Sequence, residues 1–440
     1  MLDWINENPV AQGPGWEPYP LSLRIREWIE WLQKEDHLES EVREAVLNSL
    51  SFQVEALSRQ VEYHLQGNHL LENAITLCWA GLSLVTPQRE AWVAKGKELL
   101  VREVDRQVLA DGTHQERSPM YQALLAESLC RLAQVAASSN HPKGEFLEDV
   151  AFRAGRTLLL SLRHFVHPDG DYALLNDCAF AIAPRFEALC RRWLSPEETS
   201  PTGPWLLPTA GYFGWQSSSG EYLIFDAGCI GPDHQPGHGH ADSLSFEMSA
   251  TGQRLFTDTG VFTYSEGPLR SYDRSTAAHN TVEIDGKDQS DLWAAFRCGR
   301  RVKPIEGVLL EKDDVTTLRG AYRGPGQFLR PVFHRRTVKA RGGLLSFTDE
   351  LVSRGEHDAI LRLHVAPGLK AEKREDSVVL MDGPCAIARV AGDGLTWKVG
   401  VSPYHPEFGR EQERASLSAS FSFRNQARAH WQVETFGGRA

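Results

Sequence analysis

"GHGHADSLSFEMSATGQRLFTDTGVFTY", residues 237–264, and "RSTAAHNTVEIDGKDQS", residues 274–290, decide how this chain is read. Leu244–Met248, Arg254–Thr257 and Thr281–Ile284 alternate apolar with polar residues, and Asp285-Gly286 is a turn signal. That pattern predicts half-buried antiparallel strands. His238, His240, Asp258 and His279 are set into this β texture. Two histidines at i and i+2 face the same way on an extended strand. Three imidazoles with a carboxylate form a donor set that suits zinc. Two readings of the residues stand side by side. In one, His240, Asp258 and His279 bind a metal from neighbouring strands. In the other, each histidine is hydrogen-bonded in a polar strand junction. Gly237 and Gly239 favour the first, because glycine allows close backbone approach.

Outward from this stretch, Tyr222–Phe225 and Leu345–Thr348 continue the strand pattern. Residues 205–440 therefore read as an antiparallel β-sandwich. Upstream, Ser195–Pro204 has the composition of a linker. Before it, residues 22–193 have helical periodicity. Leu21, Ile25, Trp28, Ile29 and Leu32 open it, a long helix is predicted over Glu39–Leu65, and others near 69–83, 88–108, 118–137, 143–165 and 178–193. Successive helix pairs predict an α/α toroid over 1–200, short enough to be incomplete. The fold class is thus multidomain, α then β.

With 440 residues, the chain exceeds one ordinary core. A net charge of -11 argues against a nucleic-acid or general membrane-surface binder. No apolar run is long enough to span a membrane. The Arg-rich segment Arg297–Arg341 reads either as a local anion-binding patch or as a solvated strand face. The 7 cysteines are widely spaced and include no C-x-x-C, which fits buried thiols in a reducing compartment. Met1-Leu2-Asp3-Trp4 opens no signal-peptide pattern, so a cytoplasmic location is expected, or a periplasmic one if translation starts upstream.

Three polar sets accompany the histidine stretch. In Asn68-His69-Leu70-Leu71-Glu72-Asn73, Glu72 follows His69 by one turn and Asn68 stands where an N-cap belongs. In Asp111–Tyr121, Ser118 and Pro119 predict a helix start with Tyr121 in its first turn, where a phenol either projects into a groove or packs. Arg270 and Arg274 suit carboxylate recognition or a surface ion pair. A site assembled from such distant segments is expected where two domains meet.

Together these stretches, with "FRCGRR" at 296–301, "GNHLLEN" at 67–73 and "DGTHQERSPMYQ" at 111–122, resemble the heparinase II/III family of polysaccharide lyases. The resemblance implies an α/α toroid followed by a β-sandwich. It implies β-elimination on a uronate-containing polysaccharide, with loss of the C5 proton and departure of the C4 oxygen. By the same resemblance Asn68 and His69 act on the carboxylate side, and Tyr121 and His238 are catalytic. Glu72, Glu116, Arg270 and Arg274 are expected to contact substrate. His240, Asp258 and His279 are expected to hold a mainly structural Zn2+. The partner is then an acidic polysaccharide, whether a glycosaminoglycan or an exopolysaccharide, and a homodimer is admitted. The alternatives are a non-catalytic carbohydrate-binding protein in polysaccharide processing or export, and a zinc hydrolase. The second lacks an obvious general base beside the ligands.

Overall fold

Leu21, Ile25, Trp28, Ile29 and Leu32 line one face of a helix and are buried, which is why that helix docks. In this computed structural model, residues 1–195, 202–217, 220–324 and 331–436 are described. Most of the expected Ser195–Pro204 linker and part of the Arg297–Arg341 segment lie outside them. The helices are α1 (Leu2–Glu7), α2 (Pro18–Lys34), α3 (Ser40–Arg59), α4 (Gly67–Ser83), α5 (Arg89–Gln107), α6 (Pro119–Ala137), α7 (Gly144–Leu162), α8 (Phe186–Trp193) and α9 (Pro268–Arg274).

The chain divides into two compact units. The first comprises Met1–Gln115 and Ala123–Leu159. The second comprises Glu116–Gln122 and Leu160–Ala440. These units are divided within α6 and α7, whereas composition placed the domains at 1–200 and 205–440. The start of α6 and the described residues after Leu159 belong to the unit that holds the β structure.

In the first unit the helices pack by close approach. A side chain on Gly96 of α5 would come within 2.7 Å of the Cys78 backbone in α4. One on Gly155 of α7 would come within 2.7 Å of Cys130 Sγ in α6. Both pairs thus pack glycine against a buried cysteine. The helix predicted over Glu39–Leu65 ends at Arg59, and α4 starts after Gln66, a residue with φ of 59°. Asn68 consequently lies inside the first turn of α4 and is not its N-cap.

In the second unit the strands are β1 (Gly203–Leu207), β2 (Tyr212–Gln216), β3 (Tyr222–Asp226), β4 (Phe246–Ala250), β5 (Gln253–Phe256), β6 (Val282–Ile284), β7 (Leu292–Trp293), β8 (Arg297–Cys298), β9 (Lys303–Lys312), β10 (Val315–Arg323), β11 (Phe333–Arg341), β12 (Leu344–His364), β13 (Lys370–Lys373), β14 (Ser377–Asp382), β15 (Cys385–Gly392), β16 (Trp397–Glu407) and β17 (Arg410–Thr435). β1 to β5 form a five-stranded antiparallel meander. A ten-stranded sheet runs β13-β14-β15-β17-β12-β11-β10-β9, with β16 on β17 and β6 on β12. Phe213, Phe225, Phe246 and Met248 of the small sheet share one core with Val338, Phe347, Leu361 and Trp431 of the large one. The Phe347 and Trp431 rings stack at 3.9 Å. This is the sandwich arrangement, with side chains of two inner faces interdigitating.

β3 and β4 are buried along their whole length, although alternation predicted half-burial. The segment after α7 covers their second face. His167 bonds Ser249 and Glu247, Leu174 N donates to Glu247, and Tyr222 Oη donates to the carbonyl of His164. The helix expected over 178–193 is shorter, and only Phe186–Trp193 is helical.

Candidate active site and metal centre

His238 and His240 stand in the loop between β3 and β4, not on a strand. Gly239 between them is required by close approach, because a side chain there would lie 2.0 Å from the Ile230 carbonyl oxygen. What aligns the two imidazoles is a carboxylate that the motifs did not flag. Asp177 Oδ2 is 2.8 Å from His238 Nδ1, and Asp177 Oδ1 is 2.9 Å from His240 Nε2. Arg270 completes the cluster, with Nη1 on Oδ1 and Nη2 on Oδ2 at 2.8 Å. Asp177 is fully buried, and burial opposes its charge. The Arg270 charge and the hydrogen bonds from both histidines and Arg270 outweigh burial and hold the carboxyl well below its usual range. Neighbouring Asn176, at φ 53°, accepts from the backbone N–H of His240. Asparagine tolerates that left-handed backbone.

One side of this clamp is a sealed cage. His240, Asp258 and His279 offer ligand atoms that all lie within 4.8 Å of one another, and all three residues are buried. His240 Nε2 donates to Asp177, which leaves a lone pair on Nδ1. His279 Nδ1 donates to Asp258 Oδ2 at 2.7 Å, which leaves a lone pair on Nε2. Those two nitrogens, His240 Nδ1 and His279 Nε2, are buried without a protein partner. Unsatisfied buried nitrogens are costly, and a carboxylate fixing each imidazole tautomer is the usual outer shell of a metal site. Burial lowers the His240 pKa to about 4 and keeps that imidazole neutral, as a ligand must be, whereas at His279 the Asp258 charge and hydrogen bond outweigh burial and raise it. The residues therefore fit a divalent ion of the imidazole- and carboxylate-binding kind. Asp242, also buried, has an unpartnered Oδ2, and burial followed by the Asp226 charge pushes its carboxyl well up. No motif spacing had pointed to it.

The other side is partly open. The His238 side chain is 13 % exposed, and its Nε2 lies 3.8 Å from Glu116 Oε2. The Tyr121 ring is 4.4 Å from the His238 ring, and Tyr121 Oη is 2.9 Å from Tyr264 Oη. Phe296 meets His238 edge-on at 5.9 Å. Burial disfavours the imidazolium of His238, but the Asp177 hydrogen bond and the Glu116 and Asp177 charges prevail and raise its pKa. Burial pushes the Tyr264 phenol well up. Pro119 does open α6, which sets Tyr121 in its first turn, and Ser118 Oγ donates to the carbonyl of Asp177. Tyr264 and Asp177 were not identified from sequence. Tyr264 closes the quoted 237–264 stretch, and only the fold brings its hydroxyl to Tyr121.

Arg270 and Arg274, expected to contact substrate, turn their guanidiniums to acceptors within the protein. Both are 1 % exposed. Arg274 donates to the carbonyls of Gly239, Ala294 and Ala295, and Arg270 Nε to that of Ala295. Glu116 is 2 % exposed and faces His238.

In the first unit, Glu72 does not join His69. It is buried against Arg26 at 2.6 Å and accepts from Ser128. His69 pairs with Glu62, Nδ1 to Oε1 at 3.0 Å, and Asn73 Nδ2 donates to the other Glu62 oxygen. Asn68 is buried in the first turn of α4. Asn68, His69 and Glu72 thus belong to the first unit, and Glu116, Tyr121, His238 and the cage to the second.

A helical unit and a two-sheet β unit bearing a carboxylate-clamped histidine pair define a class of two-part α-then-β proteins with a buried His-Asp-His cage. The Heparinase II/III-like C-terminal description matches residues 199–432, and the Heparinase II/III N-terminus description matches residues 1–195. The chain belongs to the heparinase II/III-like family. It is similar to a heparin-sulfate lyase of Bacteroides stercoris, 22% identical over 433 residues, covering 85% of this chain and 60% of that protein. A heparin-sulfate lyase of Pedobacter heparinus is 24% identical over 321 residues, 65% of this chain and 47% of that protein. The chain thus spans between 47% and 60% of the length of the curated relatives it matches. Among solved structures, heparinase III superposes with a TM-score of 0.80 at 18% identity over 100% of this chain and 72% of that one. A heparan sulfate lyase from Pedobacter heparinus gives 0.69 at 17% identity, with 100% and 72% covered. These likenesses show the fold, an α/α toroid type followed by a β-sandwich type. Among the described residues no helix is long and apolar enough to cross a membrane.

Proposed function

We propose that the chain is a polysaccharide lyase that cleaves a uronate-containing glycosaminoglycan by β-elimination. The observation that carries this is the pairing of Tyr121 with His238, rings 4.4 Å apart, around an imidazole fixed by Asp177. Elimination needs a group to take the C5 proton and a group to protonate the departing C4 oxygen. With Nδ1 donated to Asp177, His238 presents Nε2 as its working nitrogen. The Tyr121 hydroxyl, bonded to Tyr264 Oη, can give a proton and be stabilised in its deprotonated form by the Tyr264 hydrogen bond. A tyrosine beside a histidine thus supplies an acid and a base, which a protein that only binds glycans does not require. Asn68 and His69 are assigned to carboxylate neutralisation by the family resemblance, and His69 is held in one orientation by Glu62.

The cage is assigned to zinc, with His240, Asp258 and His279 as its ligands. The ion would link the loop after β3, the segment after β5 and the turn before β6, and so hold the His238 loop in shape. No step of the elimination needs it.

The test is digestion of heparan sulfate, chondroitin sulfate, hyaluronan, alginate and bacterial exopolysaccharides. Ultraviolet absorbance from a new C4–C5 double bond is the expected product signal, and Tyr121→Phe should abolish it. Binding of these polymers with no unsaturated product from any of them would contradict the proposal.

A further inference from the structure

Most arginines of the Arg297–Arg341 segment are already engaged. Arg319 and Arg335 pair with Glu306, Arg336 is buried on Asp349, and Arg300 and Arg301 pair with Asp291 and Asp233. Arg297, like Arg323 and Arg341, is exposed and has no ion pair among the described residues, and what sets Arg297 apart is its place. It sits on the β7–β8 hairpin directly across the ladder from Trp293, so the two side chains share a face. Trp293 is 55% exposed, and Phe296 in the turn is 42% exposed. Trp293 packs over Gly299, where an added side chain would come within 2.9 Å of the indole.

A hairpin with two-residue strands has little stability of its own. This one is fastened from beneath. Arg270 and Arg274, both buried, donate to the carbonyls of Ala294 and Ala295. Ala294 has φ of 49°, a conformation that a non-glycine residue adopts only when its surroundings enforce it. Arg270 is also the residue that grips Asp177 and, through it, His238. The hairpin is therefore held in register with His238, and Phe296 is the shared wall between them. An exposed indole fixed at this place contributes nothing to the core.

We propose that the β7–β8 hairpin is a sugar-binding platform beside His238. The Trp293 ring takes the apolar face of a pyranose, and the Arg297 guanidinium takes a sulfate or carboxylate on the same glycan chain. Aromatic stacking and a free guanidinium together match an anionic oligosaccharide. The platform rests on the proposed reading of the site as one that binds a uronate polymer.

The experiment uses the full chain carrying Tyr121→Phe and titrates a heparan sulfate hexasaccharide by calorimetry. Trp293→Ala and Arg297→Ala are each expected to weaken binding roughly tenfold, equivalent to about 1.4 kcal/mol. Arg297→Lys should restore part of the loss, and thermal unfolding should not move. A variant that binds as tightly as its parent overturns the platform, as does a parent that does not bind the hexasaccharide. Trp293-dependent binding with no unsaturated product from the wild-type chain keeps the platform and overturns the lyase reading.

Discussion

His238 and His240 bond opposite oxygens of one carboxylate, yet their surroundings divide their work. His240 is fully buried, and its remaining nitrogen joins the cage with His279 and Asp258. His238 keeps 13 % of its side chain exposed, and its remaining nitrogen faces Glu116 and Tyr121. Burial depresses the pKa of the first, and the carboxylates raise that of the second. The contrast teaches that residue type and spacing do not set a histidine's role. The direction its free nitrogen points, and the solvent there, do.

The strongest way to break the contrast is to remove what both share. Asp177→Ala leaves the Arg270 charge buried without its partner, a change that costs about 3–5 kcal/mol. Urea unfolding should show that loss, and turnover should fall with it. Next, His240→Ala should remove the metal and roughly 3 kcal/mol of stability, as expected when a ligand present at a hundred times its dissociation constant is withdrawn. Metal analysis with a melting curve reads both, and a chelator should lower the wild-type melting point in the same direction. His238→Ala should leave folding and metal content alone while lowering the rate by about 10²–10⁴-fold. The rate of unsaturated product formation on the best polymer of the panel measures that.

A smaller effect comes from a histidine remote from this chemistry. Burial, then the Arg163 charge, lowers the His164 pKa to about 4. The unfolded chain has the ordinary value near 6.5. Between these values the unfolded state binds the extra proton. Stability is thus complete above about pH 6.5 and declines as pH falls toward 4, by at most about 1.4 kcal/mol per pH unit. The decline in urea midpoint between pH 7 and pH 5 should be shallower in His164→Asn than in the wild type. Equal slopes would contradict the assignment.

Much of this was legible from sequence. The switch from helical to alternating periodicity separates the α and β parts. Ser118-Pro119 marks the start of α6 within a residue, and the His240, Asp258 and His279 set assembles as its donor types suggest. The pieces that were not legible are long-range pairings. Asp177 lies in a loop 61 residues from His238, and nothing local marks it as the clamp. Glu62 is folded back on His69 because the chain leaves α3 at Arg59, earlier than apolar periodicity implied. Arg270 and Arg274 look like surface cations in a polar stretch. Their burial depends on carbonyls of Gly239, Ala294 and Ala295 that only the folded backbone brings to them.

The most direct measurement is the zinc content of purified His238→Ala beside that of His240→Ala. The division of roles predicts that His238→Ala keeps its zinc and its melting temperature and forms no unsaturated product, while His240→Ala loses both zinc and stability. Loss of zinc from His238→Ala to the same extent as from His240→Ala would contradict it.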